Sequence, residues 1–213
     1  MKRRRSTPEA QREDMVEHQL RPRGITDGAV LAAMGDVPRE VFVSEGFERH
    51  AYDDRPLPIE SHQTISQPFI VALMAQAAEL TPDSRVLEIG AGSGYGAAVL
   101  SRLAAHVWTI ERHANLAEQA RDRLVSAGFD NVTVVTGDGT RGLAEHAPFD
   151  AIVVTAGAHR VPDELVDQLA EGGRLVIPVD RDLGQELMRI RRVVDEVVEE
   201  ELGGVRFVPL IPD

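Results

Sequence analysis

Four glycines alternate with other residues in Glu88-Ile89-Gly90-Ala91-Gly92-Ser93-Gly94-Tyr95-Gly96. Glycine lets a chain turn sharply and lets its backbone approach a ligand closely, and this density exceeds what a plain strand-to-helix turn needs. The segment therefore reads as a binding loop in which Gly90, Gly92, Ser93 and Gly94 face the ligand. Gly92-Ser93-Gly94-Tyr95-Gly96-Ala97 also satisfies a dinucleotide pattern, so the glycines alone do not choose a ligand class. The acids nearby do more. Glu88 directly precedes the glycines, where a carboxylate can orient the cationic amino group of S-adenosylmethionine, directly or through water. A pyrophosphate held at the same turn would be repelled by it. Asp138, in Thr136-Gly137-Asp138-Gly139, can accept a hydrogen bond from the exocyclic amine of adenine. Glu111, followed by Arg112, lies about twenty residues past the first glycine, where an acid binds ribose hydroxyls in either ligand class. Taken singly, Glu111 is also readable as a solvated surface carboxylate and Asp138 as an ordinary turn aspartate. Their order on three successive strand ends favours the adenosyl reading.

The elements that must position these residues are short apolar strands alternating with helices. Strands are read at Arg85-Val86-Leu87-Glu88-Ile89, His106 to Ile110, Asn131 to Val135, Ala151 to Val154 and Arg174 to Ile177. Helices are read at Ala97 to Ala105, His113 to Ala127, with Leu116, Ala120 and Leu124 on one face, and Val161 to Leu169. Such alternation specifies an α/β fold, a doubly wound, Rossmann-like, mostly parallel sheet covered on both faces. Before Leu80 the chain reads as helical and irregular. Thr7-Pro8-Glu9 starts one helix, and Thr26 or Asp27 starts another that runs to Gly35. Ala51 to Pro58 reads as an extended loop. After the last helix, Glu186 to Arg192, Val193 to Glu200 and Val205 to Val208 read as antiparallel edge strands.

Bulk properties narrow the classes. The 213 residues carry a formal net charge of -12 and no cysteine. An acidic surface repels phosphate backbones, so no nucleic-acid partner is expected. The basic cluster Lys2-Arg3-Arg4-Arg5 reads as a solvated tail. Without cysteine there is neither a disulfide nor a thiolate nucleophile nor a zinc-thiolate site, and no metal is expected. No apolar run is long enough to span a bilayer, and polar Ser6 to Glu9 stand where a signal peptide would be apolar. The expected setting is the cytoplasm.

Several segments together resemble a known family. Val86 to Tyr95 resembles the first motif of class I methyltransferases, which many subfamilies share. Gln63-Thr64-Ile65-Ser66-Gln67-Pro68 is more specific and resembles the signature of protein-L-isoaspartate O-methyltransferase. So do Val37 to Val43, Pro148 to Ala156 and Arg206-Phe207-Val208-Pro209-Leu210, in family order over nearly the whole chain. The resemblance implies transfer of methyl from S-adenosylmethionine, leaving S-adenosylhomocysteine, to the free carboxylate of an L-isoaspartyl residue in a damaged protein or peptide. The ester then collapses to a succinimide that reopens partly to aspartate. It also implies a sheet whose last two strands are swapped in sequence relative to other class I enzymes. The expected organisation is one methyltransferase domain over 1–213. Residues 1–80 form a helical extension with a substrate loop at 59–68, residues 81–178 the cofactor core, and residues 179–213 the edge strands. A monomer is expected, since a repair enzyme must accept protruding segments. The chain departs from the family at Glu60-Ser61-His62, where relatives carry glycines, and at Asp180, where glycine is common. These departures bear on peptide entry.

Methyl transfer from a sulfonium to an ionised carboxylate needs no general base, and no His-acid or Ser-His-acid constellation is evident. His62 therefore reads as a polar loop residue or a substrate contact. What the reaction needs is positioning, exclusion of water and a modest hydrogen-bond donor at the nucleophile. By residue type alone, Ser66 is a helix N-cap for the apolar run Phe69 to Ala78. The resemblance makes it the hydroxyl donor to the substrate carboxylate, and both roles can coexist. Gln63, Thr64 and Ile65 would line the same loop, and Val208, Pro209 and Leu210 would fold back over the peptide. Two other readings stay open: a class I methyltransferase for another carboxylate or hydroxyl, and a dinucleotide-binding oxidoreductase.

Overall fold

The computed structural model describes residues 7–194 and 196–212. The basic cluster at 2–5 lies outside them. The sheet grows from runs dominated by β-branched and other apolar residues: β3 (Arg85–Ile89), β4 (His106–Glu111), β5 (Val132–Thr136) and β6 (Phe149–Val154). Strand β7 (Leu169–Arg181) adds to these in parallel, and β8 (Gly184–Val193) and β9 (Glu196–Val205) complete the edge antiparallel. The order is β5-β4-β3-β6-β7-β8-β9, with β3 in the middle of the five parallel strands and the last strands in sequential order. This is the doubly wound, mostly parallel sheet with antiparallel C-terminal strands that the pattern and the resemblance implied.

Successive strand residues face opposite sides. Val86, Val107, Val153 and Val176 point into one core. There they meet α4 (Tyr95–Ser101), α5 (Ala114–Ser126) and the N-terminal helices α1 (Pro8–Met15), α2 (Gly28–Asp36) and α3 (Pro68–Ala77). Leu87, Ile89, Ile152, Val154, Leu175 and Ile177 fill the opposite core with α6 (Asp163–Asp167). Thr7 caps α1, its hydroxyl accepting from Ala10 N–H at 3.3 Å. Asp27 caps α2 through Ala29 and Val30 N–H. Arg39 is fully buried beneath this extension, its guanidinium over the Tyr95 ring and its Nε donating to Ala51 O at 2.6 Å. Burial lowers its pKa to about 10.

Three elements differ from expectation. The helix expected over 161–169 shrinks to α6, because Leu169 pairs with Phe149 and opens β7. Gly172 at φ +74° and a register shift opposite Phe149/Ala151 let that strand run on. The three tail strands are two. Gly203 and Gly204 stay paired with Leu187 and Glu186, so β9 continues to Val205. The expected strand at 205–208 is absent: 206–212 leave the sheet, and Pro209, which has no N–H for a ladder, makes only an isolated bridge to Gly157. The loop at 51–58 ends in a two-residue strand, β1 (Leu57–Pro58), paired with β2 (Thr64–Ile65) in a hairpin.

Leu87, fully buried at the centre of the sheet, should be the most sensitive core position. Leu87→Ala is expected to lower unfolding free energy by about 2–5 kcal/mol in urea titrations.

Candidate active site

Strand order reverses between β3 and β6, and the carboxyl ends of both strands open into a cavity of about 350 Å³. Crevices at such switch points are where open α/β sheets bind ligands. The glycine turn forms its floor. Gly90 N–H and Ala91 N–H both donate to Ile110 O, at 2.8 and 3.1 Å, so the turn is fixed to the end of β4. On its other side the Thr155 hydroxyl reaches Gly90 O at 2.8 Å. Gly90 has φ +96°, and a Cβ there would stand 2.3 Å from Thr155 Oγ1. Both observations require glycine at this position.

Glu88 is 1% exposed and lines this cavity. Its Oε2 accepts from the Thr109 hydroxyl at 2.5 Å, across the β3–β4 register pair Glu88↔Thr109. Its Oε1 lies where a Cβ on Gly96 would be 2.2 Å away, so α4 can pass only as glycine. Burial pushes the Glu88 carboxyl up to about 8; the Thr109 hydrogen bond opposes the shift and the nearby Glu111 charge adds to it. Glu111 is also buried. Its Oε2 accepts from Gly92 N–H and its Oε1 from His113 N–H, each at 2.9 Å. It holds the glycine turn while facing the cavity, and each oxygen keeps a lone pair for a ligand hydroxyl.

The cavity gathers Gly90, Gly92, Ser93, Glu111, Arg112 and Gly139 as expected. Gly94 and Asp138 are not among its walls. Gly94, at φ +93°, instead lets the turn enter α4 against Leu124. The Asp138 side chain accepts from Thr140 N–H at 2.8 Å and Thr140 Oγ1 at 2.7 Å, shaping the turn whose neighbours Gly137 and Gly139 do form walls.

The roof comes from distant segments. Gln63, Thr64, Ile65 and Ser66 line one side. Ile65 is buried and anchors the hairpin, and Gln63 Nε2 donates to Ser61 O at 3.2 Å, tightening its turn. Val208, Pro209 and Leu210 line the other side. They are held by Gly157 N–H to Val208 O at 2.8 Å and Leu210 N–H to Gly157 O at 2.7 Å. Ser66 does not cap α3: the N-cap is Gln67, with no side-chain cap hydrogen bond. Pro68 at the first helical position leaves one fewer N–H to cap. A second groove, of about 520 Å³, runs past Gln67, Ile70, Arg206 and Phe207. Thr64, Ser66, Thr155 and Val208 wall both spaces.

Residues 10–213 match the family model "Protein-L-isoaspartate(D-aspartate) O-methyltransferase (PCMT)". The chain belongs to this family. It is 58% identical over 205 residues to protein-L-isoaspartate O-methyltransferase 2 of Pelobacter propionicus, covering 95% of this chain and 91% of that one. It is 57% identical to the Protochlamydia amoebophila protein-L-isoaspartate O-methyltransferase, covering 92% and 95%. Among solved structures it resembles a Plasmodium falciparum chain assigned to the same activity and solved with S-adenosyl-L-homocysteine. That match has a TM-score of 0.83 at 28% identity, over 98% of this chain and 100% of that one. The protein is thus an S-adenosylmethionine-dependent methyltransferase, and the dinucleotide reading falls. The site fits the cofactor on its own terms. Its floor is a glycine-rich turn, and the desolvated Glu88 carboxyl group faces the space where a cationic amino group would stand.

Thr109, Thr155 and Ile211 carry no signal of their own in the sequence. Thr109 needed the strand register, and Ile211 needed the path of the tail, where Arg112 Nη1 donates to Ile211 O at 3.0 Å. Only Thr155 sat in a segment already carrying the family resemblance.

Glu88 gives the unligated enzyme a pH signature. The folded protein keeps this proton up to about 8, whereas an unfolded chain releases it near 4.5. Its contribution to stability is therefore full below 4.5 and is lost as pH rises through about 8. Urea titrations of unligated protein should show this decline, and Glu88→Gln should flatten it.

Proposed function

We propose that methyl transfer to the isoaspartyl carboxylate takes place at the window where the two cavities meet, with Ser66 as the hydrogen-bond donor that orients the nucleophile. The observation that carries this reading is the shared wall of Thr64, Ser66, Thr155 and Val208. A peptide in the second groove and a cofactor in the first can approach each other only there. The Ser66 hydroxyl has no protein partner among the described residues once its capping role falls to Gln67. It is thus available to a ligand.

When bound, S-adenosylmethionine supplies a methyl group on a positively charged sulfur. Glu88, in this reading, pairs with the cofactor amino group, Glu111 with the ribose, and the Gly137–Gly139 turn, set by Asp138, receives the adenine. Arg112 pins the tail at Ile211. The substrate carboxylate is ionised at neutral pH, so the methyl-transfer step itself needs no proton transfer by the protein. Its residues act by holding reactants in line and by keeping water out with Ile65, Val208, Pro209 and Leu210. A neutral hydroxyl suits this task because a cationic clamp would stabilise the carboxylate and blunt its attack. Gln63 and Thr64 complete the loop beside Ser66. The open groove supports action on protruding segments by a monomer. The lack of cysteine supports a reducing cytoplasm, and the charge of -12 supports protein rather than nucleic acid as partner.

On paired peptides differing only at one residue, the enzyme should methylate the isoaspartyl form and leave the aspartyl form untouched. Ser66→Ala should lower kcat by about ten- to a hundredfold, the worth of one hydrogen bond to a charged group. Affinity for S-adenosylhomocysteine by calorimetry should stay within about twofold, given that the bond is made to the other substrate. Unchanged turnover in Ser66→Ala would remove Ser66 from the reaction.

A further inference from the structure

The tail that roofs the site is not held by apolar contact alone. Val205 is the last residue of β9 and pairs with Gln185 on β8. Just beyond it the chain leaves the sheet, and Phe207 N–H donates to Gln185 Oε1 at 2.6 Å. The other end of the same amide, Gln185 Nε2, donates to Asp180 Oδ1 at 3.2 Å across the β7–β8 pair. Asp180 Oδ2 lies 2.6 Å from His159 Nδ1, and Asp180 N–H donates to Ala158 O at 2.9 Å. A line of polar contacts thus runs from the loop after β6 through Asp180 and Gln185 to Phe207 at the start of the tail.

The chemistry gives this line a direction. A primary amide can be turned end for end with little change in shape, but its two ends are opposite in function. A carboxylate only accepts, so Asp180 draws the Nε2 end toward itself and leaves the oxygen facing Phe207 N–H. Gln185 also packs on Gly157, where a Cβ would stand 2.2 Å from Nε2. Gly157 is the residue whose main chain holds Val208 and Leu210. One side chain therefore fixes both the take-off of the tail and the glycine on which it rests. Gln185 also lines the second groove, and Phe207 and Val208 stand beside it there.

We infer that Gln185 is a positioning residue: it holds segment 207–210 where that segment walls both cavities, and Asp180 sets the orientation of its amide. The consequence for catalysis rests on the reading that the second groove receives the peptide. Gln185 does not touch the reacting atoms, so its loss loosens the peptide-facing wall more than it slows the transfer.

The test uses the intact enzyme and the variants Gln185→Ala, Asp180→Ala and Asp180→Asn, with hydrogen exchange in unligated protein and steady-state kinetics on an isoaspartyl peptide. Gln185→Ala should raise exchange at the Phe207 amide and raise peptide KM about five- to tenfold, the usual worth of one neutral hydrogen bond. Turnover should fall by less than about twofold, as for lost uniform binding. Asp180→Ala should act in the same direction, and Asp180→Asn, which keeps an acceptor facing Gln185, should restore most of the loss. Unchanged exchange at Phe207 in both alanine variants overturns the clamp. Raised exchange with unchanged KM overturns its role in peptide binding. Equal defects in Asp180→Ala and Asp180→Asn overturn the orienting role. A wild-type enzyme inactive on the peptide would count against the groove assignment instead, and the exchange measurement would still decide the clamp.

Discussion

A carboxyl group buried in the middle of a parallel sheet is the constraint around which this site is built. Glu88 occupies a strand position whose neighbours on the same face, Val86, Val107 and Val153, are core residues. Desolvating a carboxylate is costly unless it is paired or protonated. The fold answers locally with one donor, Thr109, and with an absent side chain, Gly96, that lets α4 cross directly above. The rest of the compensation is left to a ligand. This is why the glycine turn, the two β4 residues Thr109 and Glu111, and the start of α4 form one unit: shifting any of them changes the state of Glu88.

The second half of the site is assembled from segments far apart in sequence. The β1–β2 hairpin brings Ser66 over the carboxyl ends of β3 and β6, and the tail after β9 closes the opposite side. The end of α3 is secured by Glu79, which takes ion pairs from Arg174, Arg189 and Arg191 on β7 and β8. The helix that follows Ser66 is thus tied to β7 and β8, and β9, from which the tail leaves, pairs with β8. Groove and cofactor cavity share a wall of Thr64, Ser66, Thr155 and Val208.

Much of this was legible in the sequence where local chemistry decides it. The glycine run, Glu88 before it and Glu111 at the end of β4 are all found where residue types placed them, because each reflects a need of the adjacent backbone. Asp27 and Thr7 cap their helices for the same reason. What failed depended on pairing across the chain. Leu169 looks helical until Phe149 claims it for β7, and Val205 to Val208 reads as a strand until Pro209 and Gly157 draw the tail out of the sheet. Ser66 has the residue type of a cap, yet Gln67 and Pro68 take that place. Asp138 is a different case: its carboxylate accepts from Thr140 N–H and Oγ1 and so shapes the turn beside the cavity. Thr109 could not be singled out at all without the register that sets it opposite Glu88.

If the two cavities are one reaction path, cofactor and peptide must meet at Ser66. The most direct measurement is a crystal structure of the enzyme with S-adenosylhomocysteine and an isoaspartyl peptide. The peptide is expected in the groove beside Gln67 and Phe207, with its isoaspartyl carboxylate within hydrogen-bond reach of Ser66 Oγ and facing the cofactor sulfur. A peptide that reaches the sulfur from another side, or a Ser66 hydroxyl turned away from the carboxylate, would contradict it.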